Sequence, residues 1–391
     1  MVNNDNKTHL YINLKTIFYP CFVLWYASEI LFRTNIEFNG VLEAGITYFV
    51  LALLIAQDVV YQQYDRNELI VLSICTVLIL ISALISQDNS VLSTWVFIVS
   101  FRNCDFNRTV KYAYRILSII IPLVIVLCYL GLIPDNIHYR NGIVRHSLGF
   151  SHPNQFGLVV FQWLVCRVYL YWDKIKVFDF IVLGALAMII KRITDSQTAT
   201  ISILLLGLMI LVVKLLDLYK VSYNRFLVKA FSVVSFSLML ASVFLTYVDV
   251  SKYAVLRTLD FFLSRRFTMG HRVLSVYGSS LLGQRVYTTR EQLAYHREVQ
   301  SAYSRLLLDN AYATLWLKYG IIILIIFIIA YLLLYRKVSM TPPLLVILFI
   351  YSVYGIMEHG LFQMRHNVFL LLFSYLVFAE KECNFIGTIK T

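Results

Sequence analysis

The chain has 391 residues, of which 59% are hydrophobic and only 14% are charged. Soluble domains average about 45–50% apolar and about 25% charged residues, so the composition excludes a soluble globular protein. Disordered, collagen-like and disulfide-rich classes are also excluded, because the chain has only 15 Gly, 6 Pro and 6 Cys. The composition indicates an all-α polytopic integral membrane protein. Its formal net charge of +12 raises the question of which side of the membrane carries the basic residues.

Apolar runs with the length of a bilayer-crossing helix, about 20 residues, alternate with short polar breaks along the chain. Three of the runs (the fourth, seventh and twelfth) are short, so we expect 10–12 spans within a single membrane domain, residues 1–391. In chain order the predicted spans are 14–32, 41–61, 69–86, 88–101, 113–133, 154–172, 177–190, 197–217, 226–248, 311–335, 342–357 and 367–380.

One long polar segment, residues 249–310, precedes the last three predicted spans. Its 62 residues carry 9 Lys+Arg and 5 Asp+Glu. Each charge at a bilayer centre costs about 2.5–3.5 kcal/mol, so this segment is predicted to be a large loop. Four predicted spans separate it from a smaller polar segment, residues 134–152. Because this number is even, both segments are predicted on the same side of the membrane. The positive-inside rule makes that side extracytoplasmic, with both termini cytoplasmic.

Arginine and lysine divide unequally between the two predicted faces. The inner face carries 11 Lys and 6 Arg, whereas the outer face carries 2 Lys, 13 Arg and seven of the eight His. A guanidinium stays charged and makes bidentate contacts to phosphate, so the outer arginines indicate a phosphate-bearing ligand. The alternative is that arginine simply solvates an outer loop.

The segment from Val144 to Gly157 ends the first outer loop and enters the sixth span. Pro153 suits the first turn of a helix, with Ser151 or His152 near the cap. A helix N-terminus at the membrane surface attracts an anion, although a capped helix start with interfacial polar residues is an equal alternative. The candidate ligands are Arg145, His146, His152 and Asn154.

An arginine-rich segment, residues 261–278, lies in the large loop and fits a helix at the membrane interface. Arg265 and Arg272 are seven residues apart and are therefore predicted on one face, with Arg266 about 100° round. These arginines could hold a diphosphate. The alternative is an amphipathic helix whose arginines snorkel to the interface.

Asp309 and Asn310 lie at the mouth of the tenth span. Asp309 can cap the helix or serve as a general base at the outer surface. A further polar segment, residues 358–367, lies in the last outer loop and contains Arg365. No HExxH, paired CxxC, Walker A or GxGxxG motif occurs, so neither a metal nor a nucleotide cofactor is expected.

In their order and spacing, these segments resemble the bacterial repeat-unit polymerases of O-antigen, capsule and exopolysaccharide, within the O-antigen ligase/polymerase superfamily. The resemblance covers the whole chain in topology, with many spans and one large outer loop before the last few. The matching motifs are Gly149–Gly157 (GFSHPNQFG), Leu263–Arg266 followed by Tyr277-Gly278 and Leu282-Gly283-Gln284, and Leu308–Tyr312 followed by Tyr319-Gly320-Ile321.

The resemblance implies a fold similar to the membrane-integral glycosyltransferase C type, in the bacterial cytoplasmic membrane. It implies metal-independent polymerisation of polyprenyl-diphosphate-linked oligosaccharides at the outer face, beside membrane lipids and the pathway's flippase and chain-length regulator. Nucleic acid is not an expected partner. The proton acceptor would be Asp309 or a loop histidine. The implied catalytic residues are Asp309, Arg266 and His152; the implied substrate-binding residues are Arg145, His146, Asn154, Arg265, Arg272, Asn310 and Arg365.

Two alternatives stay open. A ligase-type transferase would move glycan to a different lipid or protein acceptor. A flippase of lipid-linked oligosaccharide would place charge along a central cavity, but Arg167 and Lys318 are the only basic residues that lie more than four residues from either end of a predicted span. The sequence therefore favours the polymerase.

Overall fold

The protein is seen here in a computed structural model, which describes residues 17–140, 142–218, 225–287 and 306–378. About 76% of it is helical. The first helices are α1 Phe18–Leu31, α2 Gly40–Tyr61, α3 Arg66–Ser86, α4 Ser90–Ser100, α5 Phe106–Tyr129, α6 Pro153–Leu170, α7 Val177–Thr194, α8 Gln197–Leu218 and α9 Arg225–Tyr247. The later helices are α10 Ala254–Phe262, α11 Arg266–Tyr277, α12 Ala311–Thr314, α13 Ile321–Lys337, α14 Pro342–Met357 and α15 Ser374–Val377.

Several helices have the length and composition of membrane spans. Within the described residues, α2, α3, α5, α8 and α9 are both long and apolar enough to cross a bilayer, and α1, α4 and α14 are shorter apolar helices. The expectation of an all-α membrane protein is therefore confirmed. The count of twelve spans, the extracytoplasmic side of 249–310 and the cytoplasmic termini stay predictions, and residues 288–305 of that loop lie outside the described residues.

The chain divides into two compact units. Unit 1 comprises residues 1–72, 93–207 and 364–391, and unit 2 comprises residues 73–92 and 208–363. The expectation of a single membrane domain stays a prediction.

The core of unit 1 is rich in aromatic side chains. Phe18 stacks on Phe22 with ring centroids 6.0 Å apart and meets Phe97 and Phe101 edge-on at 6.2 and 5.3 Å. All four are fully or almost fully buried. Edge-to-face aromatic pairs contribute about 0.5–1.5 kcal/mol beyond their buried area, so this cluster fixes α1 within the unit.

Polar connections of unit 1 meet at one end. A hairpin of β1 His138–Arg140 and β2 Ile143–Arg145 pairs antiparallel. The amide of Ser151 donates to the carbonyl of Arg33 at 2.8 Å, and the amide of His146 donates to the carbonyl of Ile193 at 2.9 Å. The loop following α5 therefore contacts both the loop following α1 and the end of α7, as segments on one side of a bilayer would.

Unit 2 packs α9 against α11, α13 and α14. Several buried hydroxyls in this apolar bundle have hydrogen-bond partners within it. Tyr312 donates to the carbonyl of Ser352 at 2.7 Å, and Ser235 lies 3.0 Å from the Tyr335 hydroxyl. Since an unsatisfied polar group in hydrocarbon costs several kcal/mol, these bonds are what allow tyrosine in the bundle interior.

Candidate functional site

A tight turn separates α10 from α11 and replaces the single helix predicted across residues 261–278. Ser264 and Arg265 have left-handed backbones, with φ of 58° and 61°. Asp260 holds the turn: its carboxylate accepts the amides of Phe267 at 2.8 Å and Thr268 at 3.2 Å. A carboxylate at a helix N-terminus satisfies donors that have no partner within the helix. The prediction that Arg265 and Arg272 share one helix face is therefore wrong.

The same turn nevertheless brings these two arginines together. A cavity of about 450 Å³ lies beside it and is lined by the exposed side chains of Arg257, Arg265 and Arg272. Among the described lining residues the only acidic one is Asp260, and its oxygens already accept hydrogen bonds from α11. Three arginines against one engaged carboxylate make this cavity, the arginine cavity, a candidate site for an anion.

Arg266, the next residue, has different surroundings. Its guanidinium donates to Asp309 and, at 3.3 Å, to Glu358. The side chains of Arg266 and Glu358 are 8% and 6% exposed, whereas that of Asp309 is 29% exposed. A buried guanidinium is costly unless paired, and two carboxylates share it here. Arg266 therefore fixes Asp309 at the surface of the bundle, in an arrangement that we term the carboxylate pair.

Asn310, and not Asp309, caps the helix that follows. The Asn310 side chain accepts the amides of Tyr312 at 2.9 Å and Ala313 at 3.1 Å and donates to the hydroxyl of Ser242 at 2.7 Å. Asn310 is 1% exposed, so the structure gives it a capping place in the core. The cap leaves the neighbouring Asp309 carboxylate available to Arg266.

Two motifs singled out in the sequence bind each other in unit 2. After α12 the chain makes a π-helical turn, Leu315–Tyr319, a form often found at functional sites. The amide of Gln284 donates to the carbonyl of Lys318 at 3.0 Å. Gly283 and Gly320 have φ of 104° and 100°, and a Cβ on Gly320 would lie 2.5 Å from the Gly283 nitrogen. Both positions therefore require glycine.

The candidates of unit 1 form a second polar cluster. Buried Arg145 donates through Nε to the carbonyl of Thr194 and through Nη2 to the Oδ1 of Asn154, both at 2.6 Å. Burial, followed by the charge of Arg140, lowers the pKa of Arg145 from its ordinary value. The side chain ties β2 to the end of α7 and the start of α6, so its hydrogen bonds go to the protein itself.

The two candidate histidines of this cluster have separate places. His152 is the N-cap of α6, where its Nδ1 accepts the amide of Asn154 at 3.1 Å, and Pro153 follows in the first turn. This confirms the predicted helix start. His146 lies on the chain after β2, with Nδ1 2.6 Å from the carboxylate of Asp135. The last candidate, Arg365, donates to Glu29 at 3.1 Å.

The sequence reasoning missed four residues. Arg257 lies in the same predicted loop as Arg265 and could have been found by its residue type and location. Glu358 follows α14 in the polar segment 358–367, from which only Arg365 was named as a site residue. Asp135 and Asp260 carry no local motif, because their roles depend on hydrogen bonds to residues 7 to 13 positions away.

Within the described residues, no three His, Cys, Asp or Glu side chains are grouped so that they could hold a metal ion. Comparison of the chain with protein-family models, curated proteins and solved structures gives no match. The function is therefore argued from the geometry and from the sequence resemblance.

Proposed function

We propose that this chain is a membrane-integral glycosyltransferase that polymerises oligosaccharide repeat units carried on polyprenyl diphosphate. The observation that carries the proposal is the arginine cavity, which Arg257, Arg265 and Arg272 line together. Guanidinium groups recognise phosphate oxygens bidentately. The volume of about 450 Å³ lies in the range of small-molecule ligand sites.

In the proposed reaction, an acceptor hydroxyl attacks the anomeric carbon of the donor sugar. The new carbon–oxygen bond forms as the bond from that carbon to the lipid diphosphate breaks, and the diphosphate leaves with the electron pair. Negative charge develops on the leaving oxygen, which the three arginines stabilise. Prepositioned charges of this kind typically contribute a factor of about 100–1,000 in rate per donor.

The carboxylate pair supplies the opposite charge. Asp309 is held by Arg266, which Glu358 holds in turn, and the Asp309 side chain is 29% exposed. A fixed carboxylate stabilises the positive charge that develops at an anomeric carbon as its leaving group departs. The role proposed for Arg266 is thus to position Asp309, and the diphosphate contacts go to its neighbours.

The apolar helices fit the lipid part of the proposed substrate. A polyprenyl chain stays in the bilayer, so its diphosphate sits at the membrane surface, where the 249–310 loop is predicted. We propose that the reaction takes place at the outer face of the bacterial cytoplasmic membrane.

The test is reconstitution of the full chain in proteoliposomes with a polyprenyl-diphosphate-linked repeat unit, followed by mass spectrometry of the lipid-linked products. We expect a ladder of polymers. Arg257→Gln, Arg265→Gln and Arg272→Gln should each reduce the rate at least about 100-fold. The matched control is Arg285→Gln, because Arg285 is exposed in the same segment and stacks on Tyr287 at 4.6 Å.

Three outcomes would contradict the proposal. Glycan transferred only to a different lipid acceptor would indicate a ligase. Repeat units that change leaflet without elongation would indicate a flippase. An equal loss of rate in Arg285→Gln and in the cavity variants would show that the arginine cavity has no special role.

A further inference from the structure

The short helix α10, Ala254–Phe262, has two chemically different faces. At about 100° per residue, Val255, Leu259 and Phe262 fall within an arc of about 60° around the helix axis. We term these three residues the α10 apolar face. Their side chains are 81%, 44% and 64% exposed. Apolar side chains grouped on one exposed surface, and not scattered singly, mark a surface that contacts an apolar phase or molecule.

The opposite face of α10 is polar and belongs to the arginine cavity. Arg257, Thr258, Asp260 and Phe261 line that cavity. Arg257 and Asp260 lie about 160° round the helix from the middle of the α10 apolar face. The Asp260 carboxylate also accepts the amides that begin α11. One side of α10 is therefore engaged by the cavity and by α11, and the apolar side points away from both.

The length and position of α10 place it at a membrane surface. Its nine residues rise about 14 Å, which is less than half of a hydrocarbon core about 30 Å thick. Only residues 248–253 separate it from α9, which is long and apolar enough to cross a bilayer. This connection is itself coiled, since the amide of Lys252 donates to the carbonyl of Asp249 at 3.2 Å. It therefore keeps α10 close to the membrane surface at which α9 ends.

The residues around α10 are typical of a membrane interface. Tyr247, the last residue of α9, and Tyr253, which precedes α10, are both exposed. Tyrosine is enriched at the headgroup layer because its ring is apolar and its hydroxyl is polar. Residues 252–272 contain five Lys+Arg and one Asp. This positive charge is complementary to the phosphates of lipid headgroups.

We infer that the α10 apolar face inserts into the bilayer at the boundary between lipid headgroups and acyl chains. A helix with bulky apolar residues on one side and basic residues on or beside the other is the form that lies in this plane. The occupant of the α10 apolar face is thus membrane lipid. The sequence predicted an interface helix across residues 261–278. That place belongs to α10, which begins seven residues earlier.

Insertion of α10 also sets the depth of the arginine cavity, because both faces belong to one short helix. With the α10 apolar face among the acyl chains, Arg257 and Phe261 lie at the level of the headgroups. An anion carried on a membrane lipid then reaches the cavity without leaving the bilayer. This second step rests on the proposed function, since it concerns how a lipid diphosphate reaches the three arginines.

The depth of α10 is measured on the full-length protein in proteoliposomes of phosphatidylethanolamine and phosphatidylglycerol, without any turnover. A nitroxide is attached through a genetically encoded keto amino acid, so that the native cysteines stay in place. Electron paramagnetic resonance then compares its collisions with oxygen, which concentrates in lipid, and with a nickel chelate, which stays in water. The oxygen-to-nickel ratio should be high at Val255, Leu259 and Phe262 and low at Arg257 and Phe261, following the helical period of about 3.6 residues.

Two results of the spin-label experiment would overturn the inference. A low ratio at every labelled position would place the whole of α10 in water. Few collisions with either reagent at the α10 apolar face would mean that protein covers it, as another segment of the chain or as a second copy. The labels at Arg257 and Phe261 are the matched controls, because a general loss of structure would not produce a helical period.

The effect on the arginine cavity is tested with the double variant Leu259→Gln/Phe262→Gln, supplied with lipid-linked repeat units. Weaker insertion should raise KM about tenfold with little change in kcat, because the cavity arginines are retained. The matched control is Val276→Gln, which replaces an exposed apolar residue of α11 and should keep the wild-type KM.

The two experiments fail separately. An unchanged KM in the double variant would overturn the link between the depth of α10 and substrate access. If the wild type makes no polymer, the proposed function fails, and the spin-label ratios alone then support or overturn the insertion of α10.

Discussion

Arg265 and Arg266 are consecutive residues with opposite electrostatic surroundings. Arg265 has a left-handed backbone and lines the arginine cavity, whereas Arg266 begins α11 and is shared by the Asp309 and Glu358 carboxylates. The turn held by Asp260 separates the two guanidinium groups. One local structure therefore provides an open cationic surface and a buried ion pair.

Arg266→Lys should abolish polymerisation while leaving membrane insertion intact. An ammonium group is a point charge and cannot reproduce the planar fork that reaches two carboxylates. The measurement is polymer formation in proteoliposomes together with the amount of folded protein in the membrane. Wild-type polymer from this variant would exclude the role assigned to Arg266.

Arg266→Met should cost more than activity. It leaves Glu358 as a buried charge without its guanidinium partner, a change that typically costs about 3–5 kcal/mol of stability. The double variant Arg266→Met/Glu358→Gln should recover much of this loss without recovering activity. Thermal unfolding in detergent compares the two, and an equal loss in both would argue against the ion pair as the cause.

Asp260→Asn should destabilise α11 without removing any arginine from the cavity. Asn retains one accepting oxygen but loses the charge that favours a helix N-terminus, so we expect a loss of about 1–2 kcal/mol. The control is Asp249→Asn, because Asp249 makes a similar bond to Ser251 at an exposed site. Urea unfolding measures both variants, and equal midpoints would show that the buried carboxylate has no special part.

Gly320→Ala should be among the most destabilising single substitutions. The new Cβ would lie 2.5 Å from both the Gly283 nitrogen and the Leu281 oxygen, at a φ of 100°. Gly278→Ala is the matched control, since Gly278 also has a positive φ but a Cβ there would meet open space. We expect a loss of about 3 kcal/mol or more for Gly320→Ala and about 1–2 kcal/mol for Gly278→Ala. Equal losses would mean that backbone strain alone matters.

Lowering the pH should destabilise unit 1, because Asp195 becomes protonated. Burial raises the pKa of Asp195, but the bonds from Lys191 and Arg140 outweigh it and hold this pKa below its ordinary value. A depressed carboxyl pKa gives stability that is present above about pH 4 and lost as pH falls through the folded-state value. Hydrogen exchange of the β1–β2 hairpin between pH 5 and 3 should show this loss. Asp195→Asn should have weaker protection at pH 5 and a flatter pH dependence.

Patterns local in sequence predicted the fold class well. Continuous apolar runs predicted the ends of α2, α3, α6 and α9 to within a few residues, because a long apolar run has few other stable conformations in a bilayer. Pro153 predicted the start of α6 for an equally local reason.

Features set by tertiary contacts were not predictable in this way. The helix expected across residues 261–278 is broken because Asp260 captures amides seven and eight residues later. The tenth span, predicted as 311–335, is interrupted at Gly320 because residues 280–284 bind there. The spacing of apolar residues along a helix does not predict either contact.

The candidate residues show the same division. Residue type and predicted side identified Arg265, Arg272 and Asp309, which the structure places at the cavity and in the carboxylate pair. These two criteria could not distinguish Arg145, whose hydrogen bonds go to protein oxygens, from arginines that face a cavity. That distinction depends on which acceptors lie within 3 Å, and spacing along the chain does not record it.

The uneven burial of the arginines has a consequence for how the protein responds to ionic strength. Charges exposed to solvent are screened beyond about 8 Å in physiological salt, whereas buried pairs are screened much less. The exposed guanidinium groups of the arginine cavity should therefore lose affinity for an anionic substrate as salt is added. Arg145 and Arg266, bonded inside the protein, should hold the fold unchanged over the same range, so that salt separates recognition from stability in a single titration.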